Sequence, residues 1–438
     1  MAASRARKPA APEPRIEGLV LPSGGAWARA ARTGAHERLR AAGLPVRRDE
    51  YWKWTDPTPL TAEQAPPAAA FDPGDEAPAF DDIPAVRLVF TDGVFDAAAS
   101  DDPALAGVEI ARLADAGQAD LHWAREVYGV IEAAGQVPVA RPLAALNTAM
   151  APDGVLIRVA GKAARPVSLV YRHVSATSDA MLHHCIRLEP GAELTLLESG
   201  PAAARFNNVI EVEVGAGAAF HHVRTQGRDH DRRAVTHLFA RVGAGALLKT
   251  FTLTANGVLT RNEAVVELVG EGGSAHIAGA AVGDGAFHHD DTVFVRHAAP
   301  GCESRQVFKK VLKNGARGVF QGKILVERAA QKTDGYQISQ SLLLDEDSQF
   351  LAKPELEIYA DDVKCSHGST SGDIDETALF YLRSRGLPLS EAQALLVLAF
   401  VAEAIDEIAS ERLASDIRGR LDGWLARHRD QDRDQDRG

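Results

Sequence analysis

Apolar positions recur at helical spacing near both ends of the chain and at strand spacing between them. From Trp27 to Ala42 the pattern predicts a helix, closed by Gly43 and Pro45 in the usual stop order. Pro/Ala-rich sequence from Pro57 to Pro84 reads as loop or linker. Asp120 to Ala134 predicts a second helix, with Leu121, Val127, Val130 and Ile131 as its apolar stripe.

From about Val155 to Tyr359 the helical rhythm vanishes. In Ile210-Glu-Val-Glu-Val214 apolar residues alternate with carboxylates, which puts the acids on one face of a strand and the aliphatics on the other. An apolar strand end, a glycine turn and a new strand then recur at a fixed period. The turn glycines Gly191, Gly217, Gly245 and Gly272 stand 26, 28 and 27 residues apart. A period of that length fits one coil of a parallel β-helix, in which each coil buries its inner face on the next. A β-sandwich with accidental spacing is the competing architecture.

Beyond Asp361 the pattern turns helical. Asp373 to Glu376 supplies acids for the first turn of a helix whose apolar side is Leu379, Phe380 and Leu382, with Gly386 and Pro388 as its stop. Ser390-Glu-Ala-Gln393 has the form of a capping box. It opens a helix carrying Leu395, Leu398, Ala402, Ile405 and Ala409, a stripe that Leu396, Val401 and Ile408 widen beyond one face. So broad an apolar surface predicts burial on two sides, one of them by a partner. The resulting division is a disordered lead-in at 1–15, a helical region with its linker at 16–151, a β-helix at 152–360, a helical domain at 361–426 and a disordered tail at 427–438.

Composition removes several function classes. Among 438 residues, 45% are hydrophobic and 25% charged, which is ordinary for a folded soluble chain. No apolar run is long enough to span a membrane. The net charge of −12 and the scattered basic residues give no footprint for nucleic acid. Three widely spaced cysteines argue for a reducing compartment, and Met1 to Arg15 has no apolar core of a signal peptide, so a cytoplasmic location is expected.

Candidate chemistry is sparse. Among 15 histidines, His183-His184, His221-His222 and His288-His289 form pairs. Strand neighbours point to opposite faces, so no pair chelates by itself, although one member of each could align into a ladder across coils. The other reading leaves half of them in solvent and the rest satisfied in the coil wall. Cys185 and Cys302 read as unremarkable thiols, and without a Cys-x-x-Cys motif a self-contained structural zinc or iron–sulfur centre is not expected. Cys365-Ser-His367-Gly368 differs. Two residues apart in extended backbone, Cys365 and His367 project to one side, offering thiolate and imidazole to a transition metal. Two donors leave the site incomplete, with the remainder to come from another chain or a transient cargo. No nucleotide-binding motif is present, so no nucleotide is expected on this chain.

A longer ordered set of motifs adds a family. Phe320-Gln-Gly-Lys323, Ala329-Ala-Gln-Lys-Thr-Asp334, Lys353-Pro-Glu-Leu-Glu-Ile-Tyr359, Asp362-Val-Lys-Cys-Ser-His-Gly-Ser-Thr370 and Leu379-Phe-Tyr-Leu-Arg-Ser-Arg-Gly386 closely resemble the SufB/SufD family of iron–sulfur cluster assembly proteins. Glu50-Tyr-Trp-Lys-Trp-Thr55 and Leu146-Asn-Thr-Ala149 resemble family elements further upstream. The Cys-Ser-His-Gly run, the length and the helical N-terminal region are similar to the SufD branch rather than the SufB branch. The resemblance implies a mainly β protein, a right-handed parallel β-helix core flanked by N-terminal and C-terminal helical regions. It implies a non-catalytic scaffold that pairs with a SufB-like subunit and docks a SufC-like ATPase on its C-terminal helices, where ATP hydrolysis would reside. By motif match, His367 is the implied metal ligand, at the subunit interface where a nascent, transient iron–sulfur cluster assembles. Cys365 falls on the neighbouring family cysteine. A homodimer is open to the isolated chain. Two alternatives remain: a SufB-like sulfur-accepting subunit, which needs a reactive cysteine inside the β-helix, either Cys185 or Cys302; and a polysaccharide-active β-helix enzyme, which needs a signal peptide and sugar-stacking aromatics.

Overall fold

A computed structural model describes residues 14–72, 74, 76–228 and 230–435. The expected disordered lead-in falls outside them up to residue 13, and Pro14–Glu17 form a short helix. The core is a β-solenoid of about seven turns. From Val155–Val159 onward, consecutive strands alternate between two sheets of 10 and 9 strands. Parallel pairing within each sheet runs in continuous register: Arg205–Val214 lies beside Arg233–Val242 from Arg205↔Arg233 to Val214↔Val242. Alternation plus parallel pairing is what a coil requires and a sandwich lacks.

The repeat glycines occupy equivalent corners. Gly191, Gly217, Gly245 and Gly272 have φ of +75°, +65°, +59° and +69°, a conformation that costs a side-chain-bearing residue about 1–2 kcal/mol. Each corner hangs from the next coil. The Gly191 N–H donates to Ala216 O at 2.9 Å, Gly217 N–H to Ala244 O at 2.8 Å and Gly245 N–H to Glu271 O at 2.9 Å. The alternation at Ile210–Val214 also places its residues as expected. Ile210, Val212 and Val214 join the solenoid interior, while Glu211 and Glu213 face outward.

Helices cover both outer faces. Trp27, Tyr128, Ile131 and Ala144 pack on Cys185, Val209, Phe239 and Val265 of the nine-stranded sheet. Val397, Val401, Ile405, Ile417 and Leu421 pack on Val223, Phe251, Ala280 and Val307 of the ten-stranded sheet. His276 and Arg305 both hold Glu407, the first at 2.7 Å and the second at 2.5 Å, which fastens the C-terminal helices to that sheet.

Several expected elements differ. The helix from Asp120 to Ala134 is broken into Trp123–Glu126 and Val130–Ala134. Gly129 turns the chain with φ +70°, and the N–H groups of Gly129 and Glu132 both point at the Glu211 carboxylate rather than continuing a helix. Leu121 and Val130 are therefore exposed, whereas Val127 and Ile131 are buried. Strands also reach past both expected boundaries of the β-helix. Val86–Thr91 pairs with Val167–Arg172, and Val363–Gly372 pairs with Thr333–Leu343. Ser390 caps nothing: the helix Leu389–Ile405 starts after Pro388, so Ser390 already lies within its first turn. No residue of the helix Glu376–Ser384 is buried, and Phe380 is 74% exposed. In Leu389–Ile405 the widening residue Val401, with Val397, is the side pressed on the sheet, while Leu395 stays 45% exposed. The tail expected to be disordered is helical to Gln435, with 436–438 outside the described residues.

Candidate functional site

The C-terminal end of the solenoid is open at its edges. Val363–Gly372 closes the order of the ten-stranded sheet and Gln349–Ile358 that of the nine-stranded sheet, so each pairs with a single strand of its sheet. Both strands are half-buried or exposed along their length. A parallel ladder stopped in this way leaves backbone N–H and C=O groups unpaired, a template for another strand.

Cys365 and His367 lie on this last strand and share a face, as their two-residue spacing requires. Cys365 packs against the buried cluster of Ile324, Val326, Ala330 and Ala360 and is half-buried; His367 is exposed. Burial pushes the Cys365 thiol up, so it stays protonated near neutrality until a metal or base removes the proton. In register beside them stand Gly335 and Gln337 of the preceding coil. A Cβ on Gly335 would lie 3.2 Å from Cys365 Sγ, so a side chain there would crowd the thiol. Gln337 is fully buried, and neither its Nε2 nor its Oε1 has a hydrogen-bond partner. Gly322 makes room for that amide, since a Cβ there would lie 2.4 Å from Gln337 Oε1. A thiol, an imidazole and an orphaned buried amide thus meet at the open end.

Other quoted motifs brace this end. Gln331 Oε1 accepts the Asp362 N–H at 3.0 Å, and Lys332 N–H donates to Asp362 O at 2.6 Å, holding the corner before the last strand. Lys323 pairs with Glu357 at 2.5 Å. Tyr51 and Thr55 reach in from the N-terminal region, to Glu355 and Asp290 at 2.5 and 2.6 Å.

The histidine pairs form no ladder. His183-His184 and His288-His289 are four strands apart in the nine-stranded sheet, and His221-His222 lies in the other sheet. Nor do half of them face solvent: His183, His184, His222 and His289 are all buried. They are hydrogen-bonded, His222 to Glu198 at 2.8 Å and His289 to Lys310 at 2.8 Å.

Cys185 belongs to a buried cluster with His183 and Glu211. On the outer face, beneath the N-terminal helices, it stands directly opposite Glu211, and His183 projects to the same side. One donor atom from each lies within 4.8 Å of the others, and all three residues are fully buried. His183 Nδ1 meets Asn147 Oδ1 at 3.0 Å, and its Nε2 lies 2.8 Å from Glu211 Oε1. Burial lowers His183 to about 3 and raises Glu211 to about 7. The sequence held a signal for this cluster. Glu211 follows Cys185 by 26 residues, the offset from Gly191 to Gly217.

Cys185 and Cys302 are both buried. Burial pushes Cys185 well up, and Cys302 sits in the solenoid core with Sγ 3.2 Å from Gly270 O and its thiol likewise raised.

Comparison with known proteins agrees with this architecture. Residues 171–400 match the family described as SUF system FeS cluster assembly, SufBD core domain. The chain is 30% identical over 406 residues to the iron–sulfur cluster assembly protein SufD of Escherichia coli, covering 88% of this chain and 90% of that one. A SufBD family protein of Synechocystis is 28% identical over 89% of this chain and 88% of its own length. The SufD protein of Bacillus subtilis is 29% identical over 61% and 63%. Solenoid, motifs and full-length similarity together establish that the chain belongs to the SufB/SufD family of iron–sulfur cluster assembly proteins and is SufD-like within it.

Proposed function

We propose that the chain is the scaffold subunit of a SufBCD-type assembly, and that its open solenoid end pairs with a SufB-like subunit. The observation that carries this reading is the placement of Cys365 and His367 on a terminal strand with one edge unpaired, one half-buried and the other exposed. A nascent cluster is the cargo. The His367 imidazole supplies one ligand, Cys365 a second after losing its proton, and the partner the rest. Nothing in this role requires the chain to catalyse a covalent step, and ATP hydrolysis falls to the SufC-like ATPase. The exposed apolar side chains of the C-terminal helices, Phe380, Tyr381, Leu389 and Leu395, suit the docking of that ATPase. Three cysteines without a disulfide suit a reducing cytoplasm.

Co-expression tests the assembly. The tagged chain should retain both a SufB-like subunit and the ATPase through size exclusion. Recovery of the chain alone, or only as a homodimer, would contradict the scaffold reading.

A further inference from the structure

Outside the open end, one cluster of metal-ligating side chains among the described residues has its donors already convergent. His183 and Cys185 project from one face of Asp179–Leu188, and Glu211 projects beside Cys185 from the adjacent strand. Imidazole, thiolate and carboxylate together are the donor set of zinc and of ferrous iron. Two of the donors, His183 and Glu211, are also oriented from behind. Asn147 donates through Nδ2 to Leu182 O at 3.0 Å and Asn207 O at 2.8 Å, so its Oδ1 accepts from His183 Nδ1 and Nε2 is left facing Glu211. The Glu132 N–H holds Glu211 Oε2 at 2.7 Å, and the Gly129 N–H holds Oε1. An amide oxygen behind the distal imidazole nitrogen is the support that metal-bound histidines ordinarily have.

We propose that His183, Cys185 and Glu211 form a structural site for one divalent transition-metal ion of borderline softness, beneath the N-terminal helical region that covers it. The ion takes the place of the proton between His183 Nε2 and Glu211 Oε1 and of the Cys185 thiol proton, so two protons leave as one dication enters. Tyr128, whose ring centroid lies 4.4 Å from that of His183, and the helix Val130–Ala134 cover the cluster. The ion is therefore taken up when the N-terminal region docks and is held while it stays docked.

Cobalt(II) is the probe, used anaerobically on the full chain carrying Cys365→Ser and His367→Ala, so that the open end contributes no donor. The expected result is about one cobalt per chain with a thiolate-to-cobalt charge-transfer band. Cys185→Ser should abolish the band, and Glu211→Gln should weaken binding roughly a hundred-fold. Glu211→Gln is the decisive variant, because it keeps the side chain's shape and its amide N–H can donate to His183 Nε2 while the carboxylate charge is removed, at the loss of the acceptor for the Gly129 N–H. Circular dichroism confirms that it is folded, and zinc should raise the melting temperature of the parent but not of this variant. Failure of the parent to retain cobalt, a band that survives Cys185→Ser, or equal cobalt affinity in Glu211→Gln would each overturn the site.

Discussion

The Tyr51 hydroxyl donates a 2.5 Å hydrogen bond to Glu355, across 304 positions of sequence, on the strand that ends the nine-stranded sheet. Lys353 lies 4.2 Å over the same ring and also pairs with Glu50 at 2.5 Å. Burial pushes the Tyr51 phenol up, so it remains the donor throughout the ordinary pH range. The N-terminal region thereby braces the coil next to Cys365 and His367. Tyr51→Phe should cost about 1–2 kcal/mol in urea unfolding. Combined with Glu355→Gln the losses should be less than additive, and strict additivity would show that the two residues are not coupled.

Two corner glycines should respond differently to alanine. At Gly217 a Cβ meets nothing within 4 Å, so only φ opposes it and the cost is about 1–2 kcal/mol. At Gly270 a Cβ would lie 1.9 Å from the Ala244 backbone nitrogen, so the coils must separate. Gly270→Ala should therefore lower the melting temperature several-fold more than Gly217→Ala. Equal effects would contradict the stacked-corner geometry.

That geometry was legible in the sequence because a coil imposes its period on the residues that must turn. The same period carried Cys185 to Glu211, but a carboxylate in an alternating strand reads as solvent-facing until the helices above it are known. The break at Gly129 was hidden for the same reason: the groups that end the helix there are backbone N–H donors to Glu211, and no local pattern shows them. Cys365 and His367 were legible as a pair through the two-residue strand repeat. Their strand was not, since Val363–Gly372 buries neither face and so has no apolar alternation.

Acid should loosen the solenoid in a definite window. Burial holds His237, His288 and His297 each at about 4. Their unfolded value is about 6.5, and each pKa unit corresponds to about 1.4 kcal/mol. Below pH 6.5 the unfolded chain binds protons that the folded chain refuses, so stability falls as pH drops toward 4 and rises on the return. Below that range Glu263 adds a second loss. Burial alone would raise it, but Arg261, with His237 and Arg141, holds it at about 2. Urea midpoints between pH 4 and 7 check the first slope, and a flat profile would contradict neutral burial of these rings.

The C-terminal helices should separate folding from docking. Val401 is fully buried on the sheet, so Val401→Asp should unfold the C-terminal region or the whole chain, as an unpaired buried charge does. Leu395 is 45% exposed, so Leu395→Asp should leave melting nearly unchanged while the ATPase no longer copurifies. Retention of the ATPase by folded Leu395→Asp would move the docking surface elsewhere.

The most direct test is the iron and sulfide content of the assembled complex carrying His367→Ala, reconstituted anaerobically beside the wild type. His367 is exposed, so its loss removes a donor and little packing. The account predicts unchanged melting and subunit stoichiometry, with cluster per complex reduced several-fold, and a smaller reduction in Cys365→Ser. Wild-type cluster content in folded, fully assembled His367→Ala complex would contradict it.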